Sequence, residues 1–233
     1  MVSLQEIGRS FSHLFFPGQC LGCGSDLTGH NQMICLHCLN ELPPTDFQFY
    51  PNNPVEKIFW GRSRIIAASC HYYFDKDSVL QHLLHQFKYK GKKQLGIYFG
   101  RILGKALKDS GRFKNLDALV PIPLFASREK KRGYNQAALL CDGMAEVMDL
   151  PVLPYVLKRK TASETQTAKD RISRWQNMKG RFQISDPALL ENKHVLLVDD
   201  VITTGSTLDA CANELLRAEG IRISIAALAY TII

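Results

Sequence analysis

Two adjacent carboxylates, Asp199 and Asp200, stand just ahead of a turn made of hydroxyls and one glycine: Thr203, Thr204, Gly205, Ser206 and Thr207. Carboxylates accept hydrogen bonds from the vicinal hydroxyls of a sugar. The backbone N–H groups of a small-residue turn at a helix start, together with the helix dipole, hold a phosphate. Both chemistries in one short stretch suit a sugar phosphate. Asp-Asp alone would be an ordinary acidic strand end in an α/β fold; the hydroxyl turn directly after it favours the ligand site.

A second group is built from cysteines. Four of the seven form two CxxC pairs, Cys20 with Cys23 and Cys35 with Cys38. Each pair can fold into a knuckle whose two thiolates point at one ion, and two knuckles make a tetrahedral zinc site. Four thiolates leave no open position, so the expected role is structural. Disulfides would need an oxidising compartment, and a redox CxxC would need only one pair. Cys70, Cys141 and Cys211 are isolated among apolar residues and read as small buried hydrophobes.

The elements that must position these groups follow from periodicity. Val195 to Val198 is a buried apolar strand that ends at the acid pair, and Leu208, Cys211, Ala212, Leu215 and Leu216 recur at helical spacing after it. Gly220 stops that helix before a last strand, Ile221 to Tyr230. Upstream, residues 64–74 suit a strand. Leu80, Leu83, Leu84 and Phe87 mark one helix, and Leu95, Phe99, Leu103 and Leu107 mark a second that stops at Gly111. Residues 117–123 read as a buried strand, 124–134 as a basic loop, and Asn135 to Met148 as a helix, with Asn135 and Gln136 as candidate caps. A short strand is expected near 152–156 and a polar loop over 157–180. Alternation of strand and helix from 117 onward implies a parallel sheet with crossover helices. Four prolines in 43–57 suit a linker, which divides the chain into residues 1–57 and 58–233.

The chain has 233 residues, 45% of them apolar and 22% charged, enough for one to two domains with a full core. No apolar run reaches the length of a membrane span. Residues 1–16 read as a short amphipathic helix, not a signal peptide, so a cytoplasmic location is expected. The net charge of +7 collects in three clusters: Lys88, Lys90, Lys92 and Lys93; Arg128, Lys130, Lys131 and Arg132; and Lys158, Arg159 and Lys160. A charge run is most often a solvated face. Three of them near element ends point to a site for anionic metabolites or nucleic acid.

The stretch 195–207 resembles the phosphoribosyl-diphosphate (PRPP) signature of type I phosphoribosyltransferases. Further motifs extend the resemblance to the ComF family over essentially the whole chain. These are His85 to Gly91 with Phe87-Lys88-Tyr89, Val120-Pro121-Ile122-Pro123 followed by Arg132-Gly133-Tyr134-Asn135-Gln136, then Arg159 with Gln166, Thr167 and Arg171, and the double CxxC. Phe125 and Ala126 stand where family members often carry His-Pro. The resemblance implies an α/β fold with the type I phosphoribosyltransferase-like parallel sheet, flanking helices and a small N-terminal zinc module. It implies that Asp199 and Asp200 bind the ribose hydroxyls and that Thr203 to Thr207 hold the 5′-phosphate. Lys88, Arg128, Lys131 and Arg132 would face the pyrophosphate, with magnesium carried on PRPP. Segment 157–175 would close as a lid. The implied function is PRPP binding in natural competence, with phosphoribosyl transfer to an unidentified acceptor. The alternative is a non-catalytic module that binds single-stranded DNA or a nucleotide; Phe87, Tyr89, Phe125, Tyr134 and Trp175 are its candidate stacking residues.

Overall fold

The structure is a computed structural model, and it describes residues 18–27, 29, 32–159 and 181–231. Its strands are β1 (Ala68–Phe74), β2 (Ala118–Pro121), β3 (Leu157–Arg159), β4 (Phe182–Ile184), β5 (His194–Ile202) and β6 (Arg222–Thr231). Its helices are α1 (Leu36–Asn40), α2 (Pro54–Ile58), α3 (Val79–Tyr89), α4 (Gln94–Ser110), α5 (Ala126–Arg132), α6 (Gln136–Met148) and α7 (Ser206–Leu215). The expected N-terminal helix and most of the 157–180 loop, with Gln166, Thr167, Arg171 and Trp175, lie outside the described residues. No helix among the described residues is long and apolar enough to cross a membrane.

Four strands pair in parallel in the order β1-β6-β5-β2. Such a sheet is covered on both faces, and its strands read as continuous apolar runs. Val195 and Leu197 point to one face, against α2, α7 and the β3–β4 pair. Leu196 and Val198 point to the other, against α3, α4 and α6. This alternation is the two-residue period of a strand. Since β2 ends at Pro121 opposite Val198, Asp199 emerges where the neighbouring chain has already turned away.

Three expectations are corrected. The basic segment after Pro123 is not a loop throughout: Ala126–Arg132 is helical, ended by Gly133 in the left-handed conformation at φ 77°. It buries nothing, so no apolar stripe could announce it. The strand expected at 152–156 is only a bridge of Val152 to Leu119, and the chain instead forms β3 at Leu157–Arg159, antiparallel to β4. Three-residue strands are too short to show a period. The proline-rich stretch is no slack connector: Pro43 and Thr45 hydrogen-bond to the outer edge of β1. Asn53 caps α2 and also donates to the carbonyls of Phe47, Tyr50 and Ala68.

Helices α4 and α6 approach at glycine. A Cβ on Gly100 would strike the carbonyl of Leu140, and one on Gly143 would strike the carbonyl of Ile97. Backbone cannot move aside as a side chain can, so Gly143→Ala is expected to destabilise the protein by about 1–3 kcal/mol. Urea denaturation would show this as a lower midpoint, and an unchanged midpoint would mean the helices separate freely.

Candidate functional site

The acid pair lies near the C-terminal end of β5, which runs on through Val201 and Ile202 before the chain turns. The Asp200 carboxylate is 15% exposed and its Oδ2 lies 2.8 Å from Lys88 Nζ, which comes from the last turn of α3. Asp199 is half-buried, and its Oδ1 accepts from the Asp200 N–H at 2.8 Å. Burial pushes the Asp199 carboxyl up to about 7, and the neighbouring Asp200 charge adds to the rise; the Asp200 N–H, Lys88 and Arg159 oppose it.

Two cavities meet at Asp199. The smaller, about 50 Å³, is enclosed by Val201 to Leu208. Gly205 adopts φ 69° there, a conformation that glycine takes without strain. A Cβ on Gly205 would also lie 2.5 Å from Ile58 Cγ2, so α2 can seat against the turn only over a glycine. Gly205 is the N-cap of α7 and offers no side-chain acceptor to the first-turn N–H groups. Those donors, with the hydroxyls of Thr204 and Ser206 2.9 Å apart, suit a phosphate. Arg62 Nη1 donates to the Thr204 carbonyl at 3.3 Å and braces the turn from outside.

The larger cavity, about 160 Å³, lies on the β2 side of the acids. Lys88, Arg128, Arg132 and Arg159 line it, together with Pro123, Asn135, Gln136 and both aspartates. Of the residues expected on this wall, Lys88, Arg128 and Arg132 are brought together. Lys131 is exposed on α5 and lines neither cavity. Arg159 was not foreseen in the site. It arrives on β3, its guanidinium 3.3 Å from the Phe125 ring centroid. Within the basic run Lys158-Arg159-Lys160, nothing in the sequence singles out Arg159 as the residue that reaches the cavity, apart from its place in a motif.

The candidate stacking aromatics divide. Phe87 and Tyr134 are buried, and the Tyr134 hydroxyl donates to the Phe87 carbonyl, so both belong to the core. Tyr89 and Phe125 are exposed and sit beside cations: Arg132 is 5.2 Å from the Tyr89 ring centroid and Arg128 5.5 Å from that of Phe125. Cys70, Cys141 and Cys211 are fully buried, as apolar residues would be.

The sulfurs of Cys20, Cys23, Cys35 and Cys38 all lie within 4.8 Å of one another. Cys23 Sγ is 3.7 Å from Cys35 Sγ. Metal–sulfur bonds of about 2.3 Å in a tetrahedron put sulfurs about 3.8 Å apart, so the donor set fits an ion such as zinc. Backbone N–H groups of Gly22 and Cys35 point at Cys20 Sγ, and that of Cys38 at Cys35 Sγ. A hydrogen bond with the Ser25 hydroxyl is the main cause that lowers the Cys23 thiol to about 6. The cluster rests on α3: a Cβ on Gly22 would meet Val79, the first residue of that helix, as well as Cys38.

Comparison with known proteins gives four matches. Residues 135–232 match the phosphoribosyl transferase domain family. The chain is 32% identical over 224 residues to competence protein F of Haemophilus influenzae, covering 91% of this chain and 90% of that one. It is 28% identical over 216 residues to the DNA utilization protein YhgH of Escherichia coli, covering 91% and 84%. Among solved structures, the glutamine PRPP amidotransferase of B. subtilis complexed with ADP and GMP aligns with a TM-score of 0.43 at 15% identity, over 61% of this chain and 30% of that one.

The raised Asp199 carboxyl makes stability depend on pH. Between its unfolded value of about 4 and its folded value of about 7, the folded state holds a proton that the unfolded state has lost. The stabilisation is therefore complete below about 4 and disappears as pH rises through about 7. Asp199→Asn removes this titration. Urea midpoints of wild type should fall relative to the variant across that window and run parallel above it. Curves parallel throughout would show that Asp199 titrates normally.

Proposed function

This chain belongs to the ComF family, competence-associated proteins with a phosphoribosyltransferase-type domain, and we propose that it binds PRPP, or a closely related ribose phosphate, at the β5 acid pair. The observation that carries this is the order of chemistry along the site. A neutral turn of N–H and hydroxyl donors lies on one side of Asp199, and a wall of four cations on the other. PRPP presents the same order: a 5′-monophosphate, ribose hydroxyls, and a diphosphate. In this arrangement Thr203 to Thr207 hold the monophosphate, Asp199 and Asp200 accept from the ribose hydroxyls, and Lys88, Arg128, Arg132 and Arg159 face the diphosphate.

If transfer follows, the bond from C1 of the ribose to the diphosphate oxygen breaks as a bond to the acceptor forms. The protein contributes orientation and stabilises charge on the departing diphosphate. Magnesium would arrive with the ligand, held mostly by ligand oxygens and water, and would add positive charge there. The relatives' names associate them with competence and DNA utilization, and we place this chain in the same process, in the cytoplasm. The exposed Tyr89–Arg132 and Phe125–Arg128 pairs at the cavity rim support a second reading, contact with single-stranded DNA. Calorimetric titration of one preparation with PRPP and magnesium, and then with single-stranded DNA, separates the two.

Replacing Asp199 and Asp200 together by Asn keeps their size and removes their charge. Hydrogen bonds to charged groups contribute about 1.5–3 kcal/mol, so PRPP affinity should fall roughly tenfold or more. Equal affinity in a folded double variant would place the sugar elsewhere. We further assign the four thiols to one structural zinc. Elemental analysis should find one zinc per chain, and chelation should loosen the segment that packs on α3. Sub-stoichiometric metal that reconstitution does not restore would rule out zinc.

A further inference from the structure

Gln136 is the first residue of α6, yet it caps nothing. Asn135 performs that role, its Oδ1 accepting from the Ala137 N–H at 2.9 Å while its Nδ2 donates to the Ile122 carbonyl. The Gln136 side chain is instead turned inward and is 1% exposed. Its Oε1 accepts from Arg132 Nη1 at 2.6 Å. A guanidinium only donates, so this contact decides which end of the amide faces Arg132 and leaves Nε2 at the other end. Nε2 is buried and has no hydrogen-bond partner among the described residues. The same holds for Arg159 Nε. Native structures rarely leave such groups unpaired, and when they do the group calls for a role.

Both unpaired atoms belong to residues lining the larger cavity, and both are donors. An occupant that completes them must bring acceptors. With Lys88, Arg128 and Arg132 on the same wall, the fitting acceptors are anionic oxygens. The smaller cavity, lined by Thr203 to Thr207, does not include Gln136, and of that turn only Thr207 borders the larger cavity, so a ligand whose monophosphate sits in the turn meets Gln136 through a second phosphate-class group.

We infer that Gln136, held in place by Arg132, is a specificity residue that donates from Nε2 to an oxygen of a diphosphate group in the larger cavity, and so distinguishes a ribose phosphate that carries a diphosphate from one that does not. This rests on the ribose-phosphate assignment and extends it to a residue outside the acid pair, the hydroxyl turn and the cations. Gln136 selects through a neutral donor of fixed direction, whereas the cations attract any anion.

The test uses the full chain and three probes: PRPP, ribose 5-phosphate and inorganic pyrophosphate, each titrated calorimetrically with magnesium present. Gln136→Glu keeps the shape and the acceptor for Arg132 and replaces the donor with an oxygen. PRPP and pyrophosphate affinities should fall about tenfold or more, and ribose 5-phosphate affinity should not change. Gln136→Met, similar in volume and without the donor, should show the same split and serves if the Glu variant fails to fold. Equal PRPP affinity in wild type and variant, or an equal loss for ribose 5-phosphate, overturns the assignment. If wild type binds neither sugar phosphate, the ribose-phosphate assignment fails. Pyrophosphate then decides Gln136 alone: wild-type binding that the variants lose retains the donor role, and no binding or no loss overturns it.

Discussion

Two carboxylates placed side by side near the end of a buried strand repel one another and resist leaving water. Most of the site is arranged around that constraint. Asp199 receives the Asp200 N–H, and Asp200 receives Lys88 from a different helix. The ion pair is partly buried, so its worth depends on each partner being held where the other needs it. Helix α3 has to end where it does, with Lys88 in its final turn. Ser78 at one end accepts from the Gln81 N–H, and Tyr134 at the other donates to the Phe87 carbonyl.

The same helix joins the acid pair to the cysteine cluster. Cys20, Leu27, Ile34, Cys38 and Leu42 share one apolar cluster with Leu80, Leu83, Leu84 and Phe87. The cysteine segment therefore packs against the element that carries Lys88. On the opposite face of the sheet, the proline-rich segment plays a comparable part. Glu56 pairs with Arg112 at 2.6 Å, Asn53 ties α2 to the β1 edge, and Ile58 and Phe59, directly after that segment, press on Gly205. Each cavity thus has its own buttress, and the acids stand between them.

Family membership and geometry bear on different questions. The alignment with competence protein F covers 91% of the chain, and the match of residues 135–232 to the phosphoribosyl transferase domain family says what kind of domain that part is. The ordering of neutral donors, acids and cations around Asp199 is what the ribose-phosphate proposal rests on. A fold alone leaves the chemistry open, because one scaffold serves many reactions.

The linear sequence alone determined the elements with long periods and the groups that act through local spacing. The strand into Asp199 and Asp200, the hydroxyl turn with Gly205, the amphipathic faces of α3, α4 and α6, and the two CxxC knuckles were all legible, because each is written in residues a few positions apart. Short elements were not. Helix α5 buries no side chain, and β3 and β4 span three residues each, so none of the three could display a pattern. Tertiary structure alone decided that Lys88 meets Asp200, that Arg159 joins the cationic wall while Lys131 faces solvent, and that Gln136 turns inward and leaves the cap to Asn135. The reason is the same each time. A long polar side chain can reach solvent or a cavity from the same backbone position, and only the packing of distant segments settles which.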